Sequence, residues 1–193
     1  MLSRCAASAR ACWIAVETAA IFRFASTLKA DLAALDRTTP AASNVRLEIA
    51  RSYFMLREPE AALAQLNHWI ASHSQAPDLH AALNQRCWAR ALIGTELEKA
   101  LEDCNAALKS RPEAAAYLDS RGLVYLRMRN LDKAIENYTA ALRLAPKSAW
   151  SLYGRGLARV GKGEAEAGNA DIEAAKAIRA SIADDAKRYG LSP

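Results

Sequence analysis

The side chains able to do chemistry are few and scattered. Histidine occurs only at His68, His73 and His80. His68 and His73 are five apart, so they do not stack on one helical face as an i, i+4 metal pair would, and no cluster of aspartates or cysteines joins them. They read as polar surface residues near a loop, and no metal is expected. The four cysteines, Cys5, Cys12, Cys87 and Cys104, form no C-x-x-C pair, which argues against zinc and against thioredoxin-like exchange. Glu96, Glu98, Glu102 and Asp103 fall at a helix start, where negative charge suits the positive end of the dipole, so they read as structural rather than as paired catalytic acids. Gly161-Lys162-Gly163 is a turn between helices with no strand before it, not a phosphate loop. No histidine stands beside a serine or cysteine in a nucleophile motif. The chain is expected to be no enzyme, to need no cofactor, and to act by binding.

The elements that carry these residues recur. Lys99-Ala100-Leu101-Glu102-Asp103-Cys104-Asn105-Ala106-Ala107-Leu108 returns 34 residues later as Lys133-Ala134-Ile135-Glu136-Asn137-Tyr138-Thr139-Ala140-Ala141-Leu142. A weaker copy follows over Ala167 to Ile178. A fixed period of this size means stacked supersecondary units with an extended surface. Ala134, Ile135, Tyr138, Ala141 and Leu142 lie on one helical face. Pro112 and Pro146 end that second helix of each unit. The first helix carries Leu-x-x-Arg-small, at Leu83–Cys87, Leu118–Gly122 and Leu152–Gly156. The offset from Leu83 to Leu118 is 35, so an extra residue must lie in the turn at Gly94-Thr95. Cys87, Gly122 and Gly156 are expected to face Ala100, Ala134 and Gly168 where the two helices touch.

The units so defined are 80–114, 115–148 and 149–180. A degenerate unit covers 43–79, supported by Ala50, Tyr53, Ala62, Leu66, Trp69 and the Glu58-Pro59-Glu60 helix start, with extra residues around Gln75 to Leu79. Residues 1–42 form an N-terminal helical segment. Leu28, Leu32, Leu35 and Pro40 match a second helix, and 10–24 is either its partner or part of one helix over 12–37. Residues 181–193 form a capping helix and tail, with Asp184, Asp185, Lys187 and Arg188 supplying the polar outer face that terminal units need.

The 193 residues carry a net charge of +5 with no charged block, so no nucleic-acid partner is expected. The longest early apolar run, Ala11 to Val16, is far short of a membrane span. Arg4 and Arg10 ahead of it faintly resemble a signal peptide, but Glu17 and Arg23 break the region, and no working signal is expected. Localisation stays open between cytoplasm and periplasm.

Leu118, Gly122, Tyr125, Ala134, Tyr138, Ala141 and Pro146 resemble the tetratricopeptide repeat. The resemblance covers residues 80–180 and implies an all-α fold, a right-handed solenoid of antiparallel helix pairs. It departs in the last unit, where Gly168 replaces alanine and Ala180 stands at the proline position, which marks that helix as the least stable. The family's concave groove is lined by the first helix of each pair. Carried over, the groove residues are Arg51, Phe54 and Met55, then Asn84, Trp88 and Leu92, then Asp119, Leu123 and Arg127, then Trp150, Tyr153 and Leu157. Trp88, Leu123 and Leu157 have an alternative reading as packing between neighbouring helices. The family's clamp for C-terminal carboxylates is matched only by Asn84, so that ligand is not expected. The implied partner is a protein or peptide, and the implied state a monomer or weak oligomer. An alternative is a C-terminal tail, or an accessory subunit, of an exported bacterial enzyme.

Cys87 and Cys104 share one unit, one on each helix. The plainer reading is two buried cysteines packing as small hydrophobes. A disulfide is sterically conceivable, and a similar pair in resembled bacterial tails leans towards export. Arg86, Arg121 and Arg155 recur once per unit. They are expected to pair with second-helix acids such as Asp103 and Asp171, rather than to form a basic ladder for an acidic partner.

Overall fold

The computed structural model describes residues 26–192, and every regular element among them is a helix. Helix α1 covers 26–38. Then come α2 (Val45–Met55), α3 (Pro59–Ser72), α4 (Leu79–Ile93), α5 (Leu97–Ser110), α6 (Ala115–Arg127), α7 (Leu131–Leu144), α8 (Ala149–Lys162), α9 (Ala165–Ile178) and α10 (Ile182–Arg188). They pair as α2/α3, α4/α5, α6/α7 and α8/α9, each pair stacking on the next, so the molecule is an all-α solenoid. The expectations for residues 1–25, including the helix over 10–24, the possible signal, Cys5 and Cys12, lie outside the described residues. For the chain upstream of Val45, the described part of the expected helix, 26–38, is helical, and Leu32 is buried. The buried Arg46 ties it down by donating to Asp36, to the Pro40 carbonyl at 3.1 Å, and to Gln65 on α3.

Helix ends follow local chemistry. Asn130 and Ser148 accept from the backbone N–H of Lys133 and Ser151, as N-caps do. Arg111 and Ala145, each just before a proline, leave helical geometry at ψ 77°. Helix α9 stops in the same register at Arg179, although Ala180 is not proline. The 35-residue offset is absorbed between α4 and α5, where Gly94 and Glu96 both take left-handed backbone.

Within each pair, the small residue of the first helix packs against the position one turn beyond the one its spacing suggests, and at Gly156 it meets the expected Gly168 as well. A Cβ on Gly122 would lie 3.0 Å from the Tyr138 ring. One on Gly156 would lie 2.7 Å from Ile172 Cγ1 and 2.8 Å from the Gly168 carbonyl oxygen. Cys87 meets Cys104: their Cα atoms are 5.5 Å apart and the sulfurs are bonded. Cys104, Tyr138 and Ile172 hold one repeat position, one helical turn beyond Ala100, Ala134 and Gly168. That position adds a contact to the expected one, because side chains lean towards the helix N-terminus and reach across one turn before their own Cα. The two sides compensate in volume: glycine opposes tyrosine or isoleucine, and cysteine opposes cysteine.

The recurring arginines are consumed internally. Arg86 forks onto Asp103 (2.8 and 2.7 Å) and Arg155 onto Asp171 (2.8 and 2.7 Å), each within its own pair. In the middle unit Arg121 donates instead to Asn137 at 2.8 Å. Each also reaches the preceding unit, at Asn67, Asn105 and Thr139 respectively. One guanidinium therefore joins two consecutive pairs, which is the nearest-neighbour coupling that holds a repeat array together.

Helix α10 does more than cap. Asp184, Lys187 and Arg188 are exposed as expected, but Asp185 is buried and bridges Arg57 (2.8 Å) and Arg179 (2.5 Å). Arg57 lies in the left-handed turn between α2 and α3, so this contact spans the solenoid from its first described pair to its last helix. The tail continues inward. Leu191 is buried in the main core, and the Tyr189 carbonyl accepts from Arg127 on α6. Asp185 faces inward because the concave side offers it two cations, which an outer face would not.

Candidate functional site

The inner face of the first helices encloses a groove of about 570 Å³, lined by Phe54 on α2, Asn84, Gln85 and Trp88 on α4, Ala115, Ala116, Asp119 and Ser120 on α6, Ala145 and Ser148 ahead of α8, and Trp150 and Ser151 on α8. The curvature of the stack brings α4 and α8 together across it. Trp88 and Trp150 meet edge to face, with centroids 5.6 Å apart and planes at 84°. Both rings are half-buried, one side packed on the core and one open to the groove.

Of the residues expected to line a groove, Phe54, Asn84, Trp88, Asp119 and Trp150 are gathered around this cavity. Leu123, Tyr153 and Leu157 lie beneath its floor and are buried, so the packing alternative describes the two leucines; Trp88 is too wide to sink fully and keeps one open face. Leu92 and Met55 line a second cavity with Phe54, Trp88, Trp150 and Tyr189. Arg51 faces away and pairs with Glu48 at 2.7 Å on the exposed side of α2. Arg127 is occupied by the fold: it donates to the carbonyls of Ala91 (2.9 Å), Leu92 (2.8 Å) and Tyr189. Burial holds its pKa below the usual arginine value.

Among the described residues that line the groove, Asp119 is the one acidic group. It is half-buried and lines the cavity. Ser151 donates a hydroxyl hydrogen bond to its carboxylate, and Ser148 Oγ lies 2.8 Å behind Ser151 Oγ. Burial pushes the Asp119 pKa up to about 6, with the Ser151 hydrogen bond offsetting part of that rise. The buried side-chain oxygens Asn84 Oδ1 and Gln85 Oε1, on groove-lining residues, have no hydrogen-bond partner. Sequence reasoning missed Gln85, Ser148 and Ser151. Ser148 and Ser151 lie at a helix start, where serine reads as a cap, and only the three-dimensional curvature turns them into the groove.

The histidines make no site. His73 stacks on Trp69 at 4.4 Å, and His80 shares a hydrogen bond of 2.8 Å with the Tyr117 hydroxyl. Among the described residues no group of metal-binding side chains is assembled. No described helix is long and apolar enough to cross a membrane.

The tetratricopeptide repeat family matches at residues 115–148. Among solved structures, a crystal structure of MamA is 21% identical, covers 89% of this chain and 91% of its own, and superposes with a TM-score of 0.60. MamA residues 41 to the end from Desulfovibrio magneticus are 22% identical over 77% of this chain and 84% of theirs, with a TM-score of 0.56. A thermophilic tetratricopeptide protein of Thermus thermophilus, TTC0263, is 20% identical over 76% and 82%, with a TM-score of 0.61. Among curated protein sequences none matches.

Proposed function

We propose that this tetratricopeptide-repeat protein is a non-catalytic interaction scaffold that holds an extended peptide or protein segment in its concave groove. The observation that carries this reading is the Trp88–Trp150 pair. Two large aromatic faces are left half-open over a cavity that the core could have filled. Aromatic anchors beside a few polar groups are what recognition of a peptide requires.

The test is capture of a partner from native cells with the wild-type chain and with Trp88→Ala/Trp150→Ala. Loss of the partner with unchanged helicity is the expected result. Capture that is unchanged by the double substitution, at normal helicity, would sink the reading.

The Cys87–Cys104 bridge favours a second setting for the same activity, a module of an exported assembly, since disulfides persist in oxidising compartments. Alkylation of the protein as it leaves its own cells separates the two. Free thiols at both positions place it in a reducing compartment.

A further inference from the structure

We infer that the centre of the groove is a receptor for a basic side chain, a lysine or arginine presented by an extended segment of a partner protein. This rests on the peptide-binding reading above and gives it a chemical specificity.

The aspartates drawn into the solenoid differ in their partners. Asp103 is paired with Arg86 and Arg90, Asp171 with Arg155 and Arg159, and Asp185 with Arg57 and Arg179. Asp119 has no cation within ion-pair distance among the described residues, and its hydrogen-bond partner is the neutral Ser151. A carboxylate withdrawn from water without a counter-charge is costly, and interiors normally supply one. Here the fold leaves the place open and points it into a cavity.

The neighbours agree on the sign of the missing group. One hydroxyl leaves most of the acceptor capacity of the Asp119 carboxylate unused. Asn84 Oδ1 and Gln85 Oε1, on the facing helix, are two further buried oxygens without donors. A ligand that satisfies this set must bring several N–H groups and positive charge. An acidic segment would meet repulsion.

The apolar lining selects a side chain on a peptide over a bare ion. Phe54, Trp88 and Trp150 can cover an aliphatic stem and stack on a cationic head. Calcium, which takes six to eight oxygens and favours several carboxylates, finds one carboxylate, a few neutral oxygens and aromatic walls instead.

The test uses the full chain and three peptides of one frame, acetyl-Gly-Ser-Ala-X-Ala-Ser-Gly-amide, with X lysine, norleucine or glutamate. Binding is followed by tryptophan fluorescence. The lysine peptide is expected to bind about tenfold more tightly than the norleucine peptide, and the glutamate peptide more weakly than either. Asp119→Asn, nearly identical in shape, should remove the preference for lysine over norleucine at unchanged helicity. Equal binding of lysine and norleucine overturns the basic-side-chain inference and leaves the groove reading standing. A lysine preference that survives Asp119→Asn places the cation elsewhere and overturns it too. If n-butylammonium alone binds as tightly as the lysine peptide, the site takes free amines and the inference falls. If no peptide binds, the inference and the groove reading fall together.

Discussion

Asp119 is held in a state that costs the folded protein. Its pKa of about 6 lies above the unfolded value of 3.8, so the folded chain binds that proton more tightly than the unfolded chain does. The contribution is fully favourable below about pH 4 and is lost as the pH rises through about 6. Asp119→Asn, which carries no charge at any pH, is therefore expected to stabilise the chain by about 1–2 kcal/mol at pH 7.5 and by nothing at pH 4. Denaturant melts of both proteins at the two pH values check this, and an equal difference at both would contradict it. Asn84, Asp119 and Tyr153 share one repeat position, as do Trp88, Leu123 and Leu157. Assigning these columns needed only the sequence. Which member of a column stays open did not follow from it, because openness depends on bulk and on what the curvature sets opposite. Tyr153 is buried, while Asp119 at the equivalent position looks into the cavity.

At the scale of the helix pair, glycines on one helix have opposite jobs. Gly156 permits backbone contact with α9, and a methyl there would meet the Gly168 carbonyl oxygen at 2.8 Å, which cannot swing aside. Gly161→Ala would meet a terminal methyl of Leu131 at 3.2 Å and, at 3.8 Å, its other methyl and Arg129 Nη1, all ends of flexible side chains. Alanine is better than glycine in a helix by about 1 kcal/mol, so the two substitutions should differ in sign. Gly156→Ala is expected to destabilise by about 1–3 kcal/mol and Gly161→Ala to stabilise by about 0.5 kcal/mol, as thermal melts can show. The Cys87–Cys104 bridge closes a loop of 17 residues across the second full unit. Replacing both cysteines with alanine should cost about 3 kcal/mol, matching the loss that reductant causes in the wild type. The paired-helix pattern, the proline stops and the turn insertion were all legible from spacing. The bonded pair was legible only as an alternative: spacing placed Cys87 opposite Ala100, one turn short of Cys104, because the direction in which side chains lean is not a property of periodicity.

Taken whole, the solenoid is tied end to end. A repeat array has contacts only between neighbours, and its stability is a sum along a line. Arg57 and Asp185 add a contact between elements that are neither adjacent in sequence nor in stacking order. Severing it with Asp185→Asn should cost about 1–2 kcal/mol and speed hydrogen exchange in α2 and α10 together. Faster exchange confined to α10 would show that the two ends are independent. This return of the tail was the least legible part of the chain. Asp184, Asp185, Lys187 and Arg188 look alike as a polar run, and what distinguishes Asp185 is two cations set against it by the fold, Arg179 and an Arg57 that lies 128 positions away in the chain.

That tie has a mechanical consequence. An untied superhelix behaves as a spring, its pitch and bore set by many small angles between repeats, each yielding a little when a guest arrives. Here two side chains latch the coil at one width. On the proposed peptide-binding reading, a segment that fits this width would take little of the coil's freedom on arrival, and a thicker one would first have to part Arg57 from Asp185.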